Sequence, residues 1–259
     1  MPYSNGQFYR CYDGGAGASS LPTILLHGLG GSHLSWPAAL RRLPGLRMIA
    51  LDLPGHGASA IPACTQMDCQ IAALRQFLDA LSFSQVNLVG HSMGAMIALA
   101  YASRYPQQIH KLSLLSIGLQ LPYTARILQY FSQEVTKEKG IGLLMERGFH
   151  ADFPKVLRRK LLEPLHNTRT SLLHADAQVS RDFPRSDQLR DAAFPIQLIS
   201  GKDDQLVPPD GVQQLAMRLR KSKLHEIKNC GHFVIFEQEG TVQELLLAFL
   251  QDQKPQQGR

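Results

Sequence analysis

The sequence predicts an α/β protein with a largely parallel sheet, because short apolar runs alternate with helix-period segments along most of its 259 residues. The runs are nearly continuous in apolar residues, which is typical of strands covered by helices on both faces. The clearest strand-like runs are TILLHG (23–28), RMIALDL (47–53), VNLVG (86–90), KLSLLSI (111–117) and PIQLISG (195–201). The helix-period segments are 32–43, 67–81, 93–105, 209–222 and 241–251. This alternation predicts parallel strands joined by right-handed crossovers.

One segment interrupts the alternation. Between Gly118 and about Arg190 the sequence holds amphipathic pieces and no strand-like run. We therefore predict a helical cap at 119–190, inserted into a core formed by 1–118 and 191–259.

Composition limits the class of protein. Hydrophobic residues make up 44% and charged residues 19% of the chain, which is ordinary for a soluble globular protein. No apolar stretch approaches the ~20 residues of a membrane span, and the amino terminus lacks the apolar core of a secretory signal. The net charge is +6, but no nucleic-acid-binding module is present, so we predict no nucleic-acid partner. The scattered Cys11, Cys64, Cys69 and Cys230 predict four reduced thiols and a cytoplasmic location.

Ser92 lies in the stretch GHSMG, between a strand-like run and a helix-period segment. A Gly-x-Ser-x-Gly pattern at a strand-to-helix junction indicates a tight turn that exposes the serine hydroxyl above the carboxyl edge of the sheet. The alternative is an ordinary turn serine that caps a helix. We predict that Ser92 is a nucleophile.

A serine nucleophile needs a base, and the base needs a partner that holds its tautomer. His232 follows a further strand-like run, KLHEIKN (223–229), which places it at the same edge of the sheet as Ser92. The loop after PIQLISG offers Asp203 and Asp204, and either carboxylate fits on spacing alone.

The third requirement is a pair of hydrogen-bond donors for an oxyanion. HGLGG (27–31) follows a strand-like run and would bring the backbone N–H of Leu29 near the elbow, where Met93 supplies a second N–H at the start of a helix. The alternative is an ordinary glycine-rich turn. No cofactor and no metal are predicted.

Five motifs occur in the order and spacing of the α/β-hydrolase superfamily, which the chain resembles over its whole length except the cap. They are HGLGG (27–31), DLPGHGAS (52–59), GHSMG (90–94), GKDDQLVP (201–208) and CGH (230–232). The resemblance implies an α/β-hydrolase fold with an eight-stranded, mostly parallel sheet and a helical cap after the sixth strand. In the family's G-x-x-D-x-x-x-P pattern the acid falls on Asp204, which implies a catalytic triad of Ser92, Asp204 and His232.

The chain is most similar to small cap-bearing carboxylesterases, which implies hydrolysis of small to medium acyl esters. Thioester hydrolysis, acyl transfer or cleavage of a carrier-protein methyl ester would use the same residues. A hydrolase-fold binding protein with minor turnover is the alternative from another class. The elbow departs from that of meta-cleavage carbon–carbon hydrolases, usually GNSMGG, since His91 and Ala95 replace its Asn and final Gly.

The cap is expected to select the substrate. The side chains expected to line an acyl pocket are Tyr123, Ile127, Tyr130, Phe131, Leu144, Met145, Phe149 and Phe153. Residues 121–190 contain 12 Lys and Arg against 8 Asp and Glu, so most of the positive charge lies in the cap. Lys155, Arg158 and Arg159 are expected to project away from an apolar face formed by leucines. This basic face is either a solvated helix surface or a dock for an acidic carrier protein, as in the pimeloyl-carrier methyl esterases that the chain resembles.

Overall fold

The computed structural model describes residues 3–17, 20–183, 189 and 192–252, in which eight strands form one sheet. The strands are β1 (Tyr3–Ser4), β2 (Gln7–Asp13), β3 (Thr23–Leu26), β4 (Arg47–Leu51), β5 (Val86–His91), β6 (Ile109–Leu115), β7 (Ile196–Gly201) and β8 (Ser222–Ile227). Their order across the sheet is β1-β2-β4-β3-β5-β6-β7-β8.

The sheet is mostly parallel. β2 pairs antiparallel with β1 and β4, and every other neighbouring pair is parallel. The predicted eight-stranded α/β-hydrolase sheet is therefore confirmed. Because β3, β5, β7 and β8 run in the same direction, the loops that follow them meet at one edge of the sheet.

Ten α-helices occur among the described residues. They are α1 (Ala38–Arg41), α2 (Met67–Ala80), α3 (Met93–Arg104), α4 (Thr124–Tyr130), α5 (Lys137–Arg147), α6 (Lys155–Asn167), α7 (Thr170–Arg181), α8 (Pro209–Arg218), α9 (Val234–Glu237) and α10 (Glu239–Gln251). Helices α4 to α7 follow β6 and form the described part of the predicted cap; its predicted end at Arg190 lies outside the described residues.

Helices cover both faces of the sheet, which explains why the strand runs lack polar alternation. On one face, Ile24 and Leu26 of β3 pack with buried residues of α2, α3 and α8. On the other face, Leu25 packs with buried residues of α1 and α10. A third apolar cluster lies in the cap and includes Phe131 and Leu173.

Two predicted elements differ from the structure. The helix expected at 32–43 is divided into a 3₁₀ turn, His33–Ser35, and the short α1. Ser32 caps the 3₁₀ turn, and the chain is extended at Pro37, whose ring fixes φ and removes a donor. The helix expected at 209–222 ends at Arg218, because Ser222 already pairs with Ile196 in the sheet.

The prediction of four reduced thiols was wrong. Cys64 and Cys69 form a disulfide with a Cα–Cα distance of 5.6 Å, since the first turn of α2 brings Cys69 back toward the preceding loop. Cys11 and Cys230 are free. The cytoplasmic location stays a prediction, and the disulfide removes the support that four thiols gave it. Among the helices of the described chain, none combines the length and the hydropathy that crossing a bilayer requires.

Candidate active site

Ser92 occupies a sharp turn between β5 and α3. Its φ of 55° and ψ of −119° lie outside the regions that non-glycine residues favour, as expected of a nucleophile elbow. The two flanking glycines make this turn sterically accessible. A Cβ on Gly90 would lie 2.3 Å from the Gly94 carbonyl oxygen, and a Cβ on Gly94 would lie 2.1 Å from the Leu26 carbonyl oxygen. Side chains at either position would therefore displace the backbone.

The three side chains of the predicted triad form a continuous hydrogen-bonded chain. His232 Nε2 lies 2.8 Å from Ser92 Oγ, and His232 Nδ1 lies 2.8 Å from Asp204 Oδ2. An ionised carboxylate only accepts, so Nδ1 carries the proton and Nε2 is free to accept the proton of the serine hydroxyl. This is the tautomer that a general base requires.

The structure also gives the two adjacent carboxylates different surroundings. Asp204 is 2% exposed, and its Oδ1 accepts hydrogen bonds from the N–H groups of Leu206 and Val207. Asp203 is half-exposed and accepts a hydrogen bond from the Cys230 N–H. Asp204 is thus the carboxylate that contacts His232, as the family's acid position implies.

Several groups fix the loop that carries His232. The His232 N–H donates to the Gly148 carbonyl of the cap over 2.8 Å. The His232 carbonyl accepts from His91 Nε2 at 3.0 Å and from Ser116 Oγ at 2.7 Å. Burial, followed by the nearby His232, lowers the pKa of His91 to about 3, so His91 is neutral and acts only as a hydrogen-bond donor there.

Glu237 of α9 ties the same loop to the cap. One carboxylate oxygen accepts from the Gly231 N–H at 3.1 Å, and the other accepts from the His150 N–H at 2.7 Å. Burial raises the pKa of Glu237, and these two hydrogen bonds oppose that shift. His232, the predicted base, is therefore held by contacts from both the core and the cap.

The predicted oxyanion donors lie in the expected elements. Gly28 packs against the elbow, since a Cβ there would lie 3.4 Å from Ser92 Cβ. Leu29 follows Gly28 in this loop, and Met93 begins α3 directly after Ser92. Within the described part of the chain, neither the Leu29 N–H nor the Met93 N–H donates to a protein acceptor. Both donors are thus available, and their role stays a prediction.

The predicted pocket residues fall into three groups. Phe131, Leu144 and Phe149 are buried in the cap cluster, whereas Tyr123, Ile127, Met145 and Phe153 pack against it partly buried. Tyr130 is half-buried and lies outside that cluster. The ring of Phe149 stacks at 4.5 Å on Phe233, the residue after His232, which links the cap cluster to the predicted site.

Two leucines that the sequence did not suggest lie against the predicted oxyanion loop. A Cβ on Gly30 would lie 2.3 Å from Leu165 and 2.7 Å from Leu173, both of which are cap residues. The expectation for Arg158 was wrong. It is 8% exposed and donates to the carbonyls of His150, Ala151 and Phe153, because it closes the loop before α6.

The sheet order and the strained serine at the β5–α3 turn are those of the α/β-hydrolase class. A family model described as alpha/beta hydrolase fold matches residues 22–239. The chain belongs to this family and is a hydrolase.

Similar proteins are known from bacteria and animals. The chain is 30% identical to a 2-hydroxy-6-oxononadienedioate/2-hydroxy-6-oxononatrienedioate hydrolase of Paraburkholderia phymatum, over 92% of this chain and 89% of that protein. It is 28% identical to monoacylglycerol lipase ABHD6 of Bos taurus, over 93% of this chain and 78% of that protein. Among solved structures, MGS-M2, an alpha/beta hydrolase enzyme from a Medee basin deep-sea metagenome library, is 26% identical with a TM-score of 0.83. That alignment covers 96% of this chain and 95% of MGS-M2.

Proposed function

We propose that the protein is a serine carboxylesterase that cleaves esters of small to medium acyl groups. The observation that carries this proposal is the hydrogen-bonded chain from Ser92 Oγ through His232 to Asp204, with 2.8 Å at both contacts. These contacts lie at a strained elbow, and the predicted donors, the Leu29 and Met93 N–H groups, have no protein acceptor among the described residues. A nucleophile, a base and two free donors are what acyl transfer to serine requires.

The proposed reaction proceeds in two halves. Ser92 Oγ attacks the ester carbonyl carbon while its proton moves to His232 Nε2, and the oxyanion accepts hydrogen bonds from the Leu29 and Met93 N–H groups. Collapse breaks the ester bond, and the leaving alkoxide takes the proton from His232. Water then attacks the acyl-serine with His232 again as the base, which releases the acid and restores Ser92.

Carbon–carbon bond hydrolysis is a second candidate, because a curated relative at 30% identity is a 2-hydroxy-6-oxononadienedioate/2-hydroxy-6-oxononatrienedioate hydrolase. Against it, His91 stands where the meta-cleavage elbow carries Asn. His91 donates its Nε2 proton to the His232 carbonyl, so that proton is committed within the protein. Thioester hydrolysis and acyl transfer would use the same residues as ester hydrolysis. Analysis of the products formed with added alcohols or thiols distinguishes these reactions from ester hydrolysis.

A substrate panel tests the choice between ester and carbon–carbon cleavage. We expect higher kcat/KM for a p-nitrophenyl ester of acetate to octanoate than for 2-hydroxy-6-oxononadienedioate. The release of p-nitrophenolate and the loss of dienol absorbance report the two reactions, with Ser92→Ala as the control for each. Faster cleavage of the dienedioate would replace the ester proposal with the second candidate.

An acidic carrier protein is the proposed partner of the cap. Lys155, Arg159 and Lys160 are exposed on α6, whereas the buried Arg158 cannot contribute. We expect Lys155→Glu/Arg159→Glu to lower kcat/KM about 10-fold or more for a carrier-linked methyl ester and to leave the free methyl ester unchanged, since opposite charges steer association. Lys223→Glu, an exposed reversal on β8, is the matched control. Equal rates on carrier-linked and free ester in the unmodified protein would contradict the proposed partner.

A further inference from the structure

A buried ion pair connects cap helix α7 to the predicted oxyanion loop. The Asp176 side chain is 1% exposed, and its Oδ2 accepts a hydrogen bond from the Gly30 N–H at 2.7 Å. The same oxygen lies 2.9 Å from Nε2 of His56, whose side chain is also 1% exposed. One carboxylate oxygen of this cap residue therefore contacts two loops of the core.

The hydrogen bonds of His56 define its charge. Its Nδ1 lies 2.9 Å from the Pro54 carbonyl oxygen, which only accepts, and its Nε2 faces the Asp176 carboxylate. Both ring nitrogens therefore face oxygen acceptors, and only the imidazolium form can donate to both. Burial alone would lower the pKa of His56, but Asp176, the Pro54 carbonyl and the more distant Asp52 outweigh burial and raise it.

The neighbouring His27 is neutral and holds the start of the predicted oxyanion loop. Burial, and after it the positive charge of His56, hold the pKa of His27 well below its ordinary value. As a neutral ring, it donates from Nδ1 to the Gly28 carbonyl at 2.8 Å and accepts at Nε2 from the Leu53 N–H at 3.1 Å. The loop is thus held at Gly28 by His27 and at Gly30 by Asp176.

These two contacts flank Leu29, whose N–H is a proposed oxyanion donor. Gly30 has a φ of +65° and lies against Leu165 and Leu173. Because glycine is conformationally permissive, its backbone needs a hydrogen-bond partner to fix the direction of the neighbouring amides. An oxyanion donor is effective only when its direction is fixed before the reaction begins. The direction of the Leu29 N–H therefore depends on the acceptor that holds Gly30.

We propose that Asp176 is a positioning residue: from the cap, it orients the loop that carries the Leu29 N–H, with His56 as its buried counter-charge. This inference rests on the proposed serine mechanism and assigns part of that mechanism to the cap. Asp176 Oδ1 has no hydrogen-bond partner among the described residues although it is buried. The carboxylate thus makes all its hydrogen bonds through the oxygen that holds Gly30 and His56.

The test uses a reaction that does not depend on the substrate class. The rate at which a fluorophosphonate probe labels Ser92 reports the nucleophile and the oxyanion donors of any serine hydrolase, and it is measured beside kcat and KM on a p-nitrophenyl ester. We expect Asp176→Ala to lower the labelling rate and kcat by about 10- to 100-fold, somewhat less than loss of a whole donor, with KM within about threefold. Asp176→Ser, a hydroxyl one bond shorter, takes its place if the alanine protein does not fold.

Two further variants separate positioning from stability. Asp176→Asn keeps one amide oxygen that can accept from both the Gly30 N–H and the His56 Nε2–H, so we expect it to recover most of the labelling rate. Asp182→Asn makes the same chemical change at an exposed residue next to α7 and should label at the unmodified rate.

Three outcomes would overturn the proposal. They are a folded Asp176→Ala or Asp176→Ser protein that labels at the unmodified rate, an asparagine variant as slow as the alanine variant, and an equal loss in Asp182→Asn. If the unmodified protein is labelled at Ser92 but does not hydrolyse esters, the ester proposal fails, and the labelling rates still decide the role of Asp176.

Discussion

Replacing Ser92 with alanine is expected to lower kcat on a p-nitrophenyl ester by at least about 10⁴-fold while the protein folds normally. The hydroxyl is the proposed attacking group, and alanine offers no lone pair at that position. The variant retains the backbone bond from the residue 92 N–H to the Leu115 carbonyl, and it retains the same Cβ at the elbow. Steady-state kinetics measure the loss in kcat, and the midpoint of thermal unfolding shows whether the variant folds normally.

A matched control is available at the other end of the same helix. Ser103 lies near the end of α3, and its hydroxyl donates to the Leu99 carbonyl. The Ser103 side chain is half-buried and remote from the elbow. Ser103→Ala should therefore keep kcat within about twofold of the unmodified protein. Near-normal turnover by the Ser92→Ala protein would mean that another residue is the nucleophile.

Asp204→Asn is also expected to have a large effect and to lower kcat by about 10⁴-fold, by analogy with the loss of the carboxylate in serine protease triads. The amide oxygen can still accept from the Leu206 and Val207 N–H groups, so the loop is retained. The amide NH₂ then faces His232 Nδ1 and favours the tautomer with the proton on Nε2. A protonated Nε2 cannot accept the serine proton.

Asp203→Asn provides the control, because it is the same substitution one residue earlier. Asp203 accepts from the Cys230 N–H and is half-exposed, so we expect kcat within about 10-fold of the unmodified protein. Comparison of the two variants in one assay identifies the working carboxylate. A larger loss from Asp203→Asn than from Asp204→Asn would reverse the assignment.

The sequence predicted those parts of the protein that depend on local pattern. Five strand runs and the turn at Ser92 follow from apolar periodicity and from glycines that only a tight junction requires. Spacing alone could not choose between Asp203 and Asp204, because adjacent residues in a turn face opposite directions and the turn conformation decides which one meets His232. The family's acid position resolved that choice. The broken helix at 32–43 was missed because the composition of the segment is helical, while Pro37 and the cap at Ser32 override it.

The supporting residues of the site could not be predicted, for a different physical reason. Asp176 meets Gly30 across 146 residues of sequence, His91 meets His232 across 141, and Glu237 meets His150 across 87. The first and third contacts arise only when the cap is packed on the core, and the second only when the end of β5 meets the loop after β8. Each of these residues is a single polar side chain in an ordinary segment, and no local spacing distinguishes it from a solvated one.

The carbonyl of Gly148 has a consequence for protein engineering. A common route to new substrate range is to graft the cap of one hydrolase onto the core of another. Here the cap provides the acceptor for the His232 N–H and, through His150, a donor to Glu237. A grafted cap that lacks these backbone groups would alter the support of the proposed base together with the predicted pocket. We therefore expect a cap exchange in this protein to change turnover as well as substrate preference.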